Sequence, residues 1–203
     1  MNLPGPTLAS RLLPAGRIGA ALRAVLLVAA GTALLTLSAK VIVPFYPVNM
    51  TLQTFAVLLI GAVYGPRLGV LTVLAYFAEG LAGLPVFTST PPLPAGPGYF
   101  MGPTGGFLIG FLVTAAVAGF AVQRGLGKRP VALFLALLAG QVVLFGLGLL
   151  WLSQFAALPN GVTGLGLIKT WHAAIAPFLL GDLVKTALAA LLITGLCRKA
   201  GQA

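Results

Sequence analysis

Residues Phe178–Leu196 read FLLGDLVKTALAALLITGL, an apolar run interrupted by one carboxylate, Asp182, and one ammonium, Lys185. The run is as long as the roughly 17–25 residues that cross the hydrocarbon of a bilayer as a helix. Its two charges stand three positions apart, so on a helix they share a face. Carboxylates are scarce here: among 203 residues Asp182 and Glu79 are the only two acidic side chains.

The surrounding composition points the same way. Hydrophobic residues make up 59% of the chain and charged residues 7%, whereas soluble domains carry about 25% charged residues. Five further apolar segments precede the quoted one, giving expected spans at 24–39, 50–64, 68–84, 105–122, 131–152 and 177–196. The pattern predicts an all-α integral membrane protein, a single membrane domain over 1–203 with six transmembrane helices. The lead into the second span, VIVPFYPVN, carries Pro44 and Pro47 and is expected to enter as irregular chain. Such backbone survives at membrane depth only where protein or a wet cavity covers it.

The formal net charge is +10, from twelve basic and two acidic residues. The basic residues occupy gaps between apolar runs rather than one block, so the charge reflects topology, not nucleic-acid binding. Arg11, Arg17, Arg23, Arg67, Arg124, Lys128, Arg129, Arg198 and Lys199 fall on one side, and Lys40 and Lys169 on the other. Positive residues stay inside, which places both termini in the cytoplasm of a cell membrane. No small-x-small cleavage site follows the first apolar run before Lys40, so that run is expected to remain as a span.

Several chemistries are excluded. Cys197 is the sole cysteine and His172 the sole histidine, which rules out an internal disulfide and paired-histidine metal motifs. There is no GxxxxGK[ST] phosphate loop and no GxSxG nucleophile elbow. No nucleophile with its base is nominated, so capture or transport is the better class, a membrane enzyme the weaker one.

The charges inside the spans carry the functional reading. A charge near mid-helix costs roughly 2.5–3.5 kcal/mol on insertion scales, so Asp182, Lys185 and Glu79 together would cost about 8–10 kcal/mol facing lipid. They must turn inward. Starting the last helix at Pro177 puts Asp182 about 8 Å below the outer boundary, and ending the third near Pro85 puts Glu79 about 9 Å below it. The expectation is a pocket open to the outside, lined by Asp182, Lys185 and Glu79. The uncharged, Pro- and Gly-rich loop VFTSTPPLPAGPGYFMGPTGG, residues 86–106, would close it. Two carboxylates against one lysine leave acceptor capacity for a ligand with N–H donors.

PVNMTLQTFAVLLIGAVYGPRLG (47–69), YFAEGLAGLPVF (76–87), GPTGGFLIGF (102–111) and GDLVK (181–185) together resemble the BioY family, the biotin-binding S components of energy-coupling factor (ECF) transporters. The resemblance covers about residues 20–197. It implies a six-helix S-component fold, biotin as substrate, and as partners a transmembrane coupling protein and two ATPase subunits that use ATP; the chain itself needs no cofactor. It also implies that Asp182 and Lys185 bear on biotin binding. The role of Glu79 rests on depth and charge alone. Biotin's ring and tail carbons would lie against Phe87, Tyr99 or Phe100. Small residues repeat at i and i+4 on the first helix, Ala20 with Ala24 and Ala29 with Ala33. Such faces permit close helix approach, and the resemblance makes them the candidate docking face for the coupling protein. A second mechanism stays open, a self-sufficient carrier in which Glu79 or Asp182 exchanges a proton as the vitamin crosses.

Overall fold

The computed structural model describes residues 7–9, 19–89, 95–158 and 161–201. Arg11, Arg17 and residues 90–94 of the outer loop lie outside the described residues. The described chain is helical apart from one short strand pair. Helix α1 spans Ala20–Lys40, α2 Gln53–Leu81, α3 Pro97–Met101, α4 Gly105–Gln123 and α5 Pro130–Gln154. Helix α6, Leu167–Lys199, contains a π-type turn over Trp171–Ile175. Strands β1 (Ile42–Val43) and β2 (Met50–Thr51) pair antiparallel between α1 and α2. Five of the helices are long and apolar enough to cross a membrane.

The expected second and third spans both fall within α2, which is folded on itself. Gly65 sits at φ 81°, ψ 171°, a conformation that costs glycine little and other residues a great deal. Pro66 follows, with no N–H to continue the ladder. A straight helix would hold Gln53 and Tyr76 roughly 34 Å apart. Instead Gln53 Nε2 donates to Tyr76 Oη at 2.8 Å, so the segments on either side of Gly65 run antiparallel. They are packed closely, since a methyl group on Gly69 would come within 2.9 Å of Gly61 Cα.

Two helix ends differ from the sequence expectation. The second leg of α2 stops at Leu81, not near Pro85, because Gly83 at φ 92° closes it. The Leu84 N–H reaches Glu79 O and the Gly83 N–H reaches Gly80 O, the paired bonds of a left-handed helix cap. Glu79 therefore lies in the closing turn. The regular α-helical part of the last helix runs from Ala176 with Pro177 in its first turn, as expected, but helical residues from Leu167 precede it without a break. The wide turn over Trp171–Ile175 absorbs the donor that Pro177 lacks and makes room for its ring. Asp182 thus stands 15 residues, roughly 22 Å, from Leu167, and a common depth with Glu79 no longer follows from helix ends.

Side chains divide as expected of a bundle in lipid. Large apolar residues such as Leu37, Val131, Val142, Leu180 and Leu191 are exposed on its outside. Inside, one cluster joins Leu35, Val57, Val73, Tyr76, Phe87, Phe111 and Phe178. A second joins Leu58, Ala62, Ala118, Leu133, Leu137 and Ile193, with Leu8 of the N-terminal segment. Helix α4 is central, with 61% of its apolar window buried against 17% for α1. Its approach to α2 depends on glycine: a methyl on Gly119 would strike the backbone of Gly65 and Pro66. Gly119→Ala should therefore destabilise the bundle by about 1–3 kcal/mol, the range for overpacked cores. Gly146→Ala, on α5 with open space around it, should be neutral or stabilising. Thermal unfolding in detergent distinguishes the two, and equal midpoints would refute the packing argument.

Candidate functional site

Asp182 is 5% exposed, in the first half of α6. Its Oδ1 accepts from Lys185 Nζ at 2.6 Å and from the Thr54 hydroxyl at 2.6 Å. Lys185 also donates to Thr51 O at 2.9 Å. A buried carboxylate is tolerable when charge and hydrogen bonds are both answered, and here helix α6 answers the charge while the start of α2 supplies the hydroxyl. Oδ2 of Asp182 receives no hydrogen bond among the described residues, so acceptor capacity remains.

Asp182 and Lys185 line a cavity with Thr51, Gln53 and Thr54 of the α2 entry, Phe107, Leu108 and Phe111 of α4, Leu144 and Phe145 of α5, and Phe178 of α6. Its roof is Val48, Asn49 and Met50 on one side and Phe87, Thr88 and Tyr99 on the other. The irregular lead into α2 thus covers a cavity, the setting in which the sequence permits it. The volume is about 50 Å³, above the roughly 10–15 Å³ needed to hold one water.

The roof is tied down by hydrogen bonds. The Tyr76 hydroxyl donates to Val86 O at 3.0 Å while accepting from Gln53, which links the loop to both legs of α2. Lys40 Nζ donates to Phe87 O at 2.7 Å. Phe87 fills space that a side chain on Gly80 would occupy and stacks on Tyr99, ring centroids 4.5 Å apart and 15° from parallel. The Tyr99 hydroxyl donates to Thr88 O at 2.9 Å. Burial pushes that hydroxyl up to about 12, so it stays a donor at neutral pH. Asn49 Nδ2 donates to Ser89 Oγ at 2.7 Å, clasping the two halves of the roof.

Of the residues nominated from sequence, Asp182, Lys185, Phe87 and Tyr99 meet in one cavity. Phe100 packs edge-on against Phe87 behind them. Glu79, half-buried, does not line the cavity. Of the four alanines nominated on α1, Ala20, Ala29 and Ala33 are exposed and Ala24 is half-buried. Sequence reasoning passed over Thr51, Gln53, Thr54, Tyr76 and Asn49. Their signal was present as uncharged polar residues in or just before apolar runs, at positions where lipid offers no partner. No cluster of three His, Cys, Asp or Glu residues that could hold a metal occurs among the described residues.

Comparison with known proteins adds an independent line. The model of the BioY family matches residues 10–202. The "Probable biotin transporter BioY" of Pyrococcus horikoshii is 36% identical over 166 residues, 82% of this chain and 91% of its own. The "Biotin transporter BioY" of Rhodobacter capsulatus is 42% identical over 159 residues, 74% of this chain and 77% of its own. A crystal structure of "the S-component for biotin from an ECF-type ABC transporter" superimposes with a TM-score of 0.73 at 25% identity, covering 91% of this chain and 95% of that one.

The geometry makes a stability prediction that needs no ligand. Lys185→Met leaves Asp182 buried without its cation and should cost about 3–5 kcal/mol. The Asp182→Asn, Lys185→Met double variant removes both charges and should recover much of that loss. A double variant no more stable than Lys185→Met, by denaturation in detergent, would mean that the pair is not coupled.

Proposed function

The chain belongs to the BioY family, and from that membership we propose that it captures biotin for uptake in the cavity beneath its loop roof. It acts as a transporter subunit rather than an enzyme. The observation that carries the assignment is the spare oxygen of Asp182, held in an apolar cavity by Thr54 and Lys185. Biotin's ureido ring carries two N–H donors and a strongly accepting carbonyl. Asp182 accepts an N–H, and Lys185 balances the acid or donates to the carbonyl. Phe87 and Tyr99 offer flat apolar faces to the ring and tail. Glu79, outside the cavity lining, has no place in this contact set.

The further features of the reading are an S-component topology of six crossings, counting the two legs of α2 separately, with both termini cytoplasmic. Energy comes from a transmembrane coupling protein and two ATPase subunits, since the chain carries no phosphate loop of its own. Ala29 and Ala33 are the better docking pair, because they lie on an exposed face of α1 with Leu26 and Leu37. Uptake by cells lacking every ECF partner would instead establish the self-sufficient carrier.

A bicyclic ligand needs more room than the present cavity, so entry requires the roof to part. Breaking the Asn49–Ser89 clasp with Ser89→Ala removes one hydrogen bond, about 0.5–1.5 kcal/mol. Biotin should then associate and dissociate faster in stopped-flow fluorescence, and unchanged rates would show that the clasp is not the gate. In equilibrium titration of the detergent-purified chain, Asp182→Asn should weaken biotin by about 1–3 kcal/mol, through a lost charge-assisted bond and a stranded lysine. Glu79→Gln should bind normally. Full affinity in Asp182→Asn, with normal folding, would remove that residue from the site.

A further inference from the structure

Outside the roof lies a second space, a vestibule of about 560 Å³. It is divided from the inner cavity by Asn49, Thr88, Tyr99 and Thr104, which line both. Its own walls are uncharged, including Phe45, Tyr46, Pro103 and Leu158. Resting on the reading that the ureido ring sits at Asp182, we propose that this chain does not read the ligand's carboxylate. It binds neutral carboxamide conjugates of biotin, such as biotinyl-lysine, as well as the free acid.

The argument begins with charge. Among the described residues Lys185 is the one cation lining either space, and it already holds Asp182 Oδ1 at 2.6 Å and Thr51 O at 2.9 Å. Lys40, which donates to Phe87 O, lines neither. The sequence has no charged residue from Gly80 to Gln123 or from Val41 to Pro66, so the whole of both roof segments is neutral. A site that selects a carboxylate by full charge does so with Arg or Lys; the partial charge at the start of α4, whose cap residue Thr104 lines both spaces, serves an amide carbonyl as well as a carboxylate.

Direction follows from the same inventory. A ligand carboxylate turned inward would meet the carboxylate of Asp182 in an apolar cavity, where two acids cannot answer each other. Turned outward, with the roof parted, the tail passes between Tyr99 and Asn49 and ends in the vestibule, where water can solvate it. There the tail meets no charged side chain among the described residues, and an amide carbonyl can accept from the same neutral donors as the carboxylate. The vestibule is the larger space and accepts the added lysyl arm.

The test titrates the purified full chain in detergent with three ligands, biotin, biotin methylamide and biotinyl-lysine. Both amides should bind within about tenfold of the free acid, since no hydrogen bond to the carboxylate is lost. If biotin binds and the methylamide is weaker by more than about tenfold, the carboxylate is read and the proposal is overturned, with Lys185 the group that holds it. If only biotinyl-lysine is weaker by that margin, the vestibule does not take the conjugate and the proposal is again overturned. If biotin itself does not bind, the reading on which the proposal rests fails first.

Discussion

A carboxylate buried in an apolar bundle has to be answered locally, and the arrangement around Asp182 shows what that demands. Its charge is met by Lys185 one turn along the same helix, and its hydrogen bonding by Thr54 at the mouth of α2. The first partner costs no topology, being set by helix periodicity. The second requires the beginning and the end of the chain to meet, 128 positions apart. Once α6 and the entry of α2 are locked in this way, the irregular segment between α1 and α2 has to lie over the space beside them. The cavity and half of its roof are consequences of one solvation problem.

The other half of the roof is organised by Tyr76. Its hydroxyl accepts from Gln53 on one leg of α2 and donates to Val86 in the loop that follows the other leg. Folding α2 back at Gly65 and fixing the loop over the cavity are therefore linked events. Phe87 sits in the space left by Gly80 and stacks on Tyr99. The apolar faces offered to a ligand are thus held from behind by packing. The polar groups are held by charge and hydrogen bonds. A site built in this way can be firm at its walls while the halves of its roof are joined by the side-chain hydrogen bond between Asn49 and Ser89.

Most of the architecture was legible in the residues. Apolar runs located the long helices, because the bilayer sets their length and the absence of water sets their composition. The two pieces of α2 were separable on sequence, since Gly65-Pro66 breaks the ladder wherever it falls. Helix ends were less legible. Pro177 reads as a start signal but sits inside α6, where a wide turn accommodates it. Pro85 reads as the stop, but Gly83 closes the helix first. The comparison of Glu79 with Asp182 depended on those ends, which is why it placed at one depth two carboxylates of which one lines the cavity.

By itself the sequence determined the membrane class, the order of apolar segments, and the pairing of Asp182 with Lys185, since composition and helical periodicity are local properties of the chain. Tertiary structure decided which polar residues face that pair, that Thr54 and not Glu79 completes it, and that the space outside the roof is lined without charge. Those outcomes depend on how distant segments pack. Side chains that meet only in the folded bundle leave no spacing in the sequence from which their contact can be read.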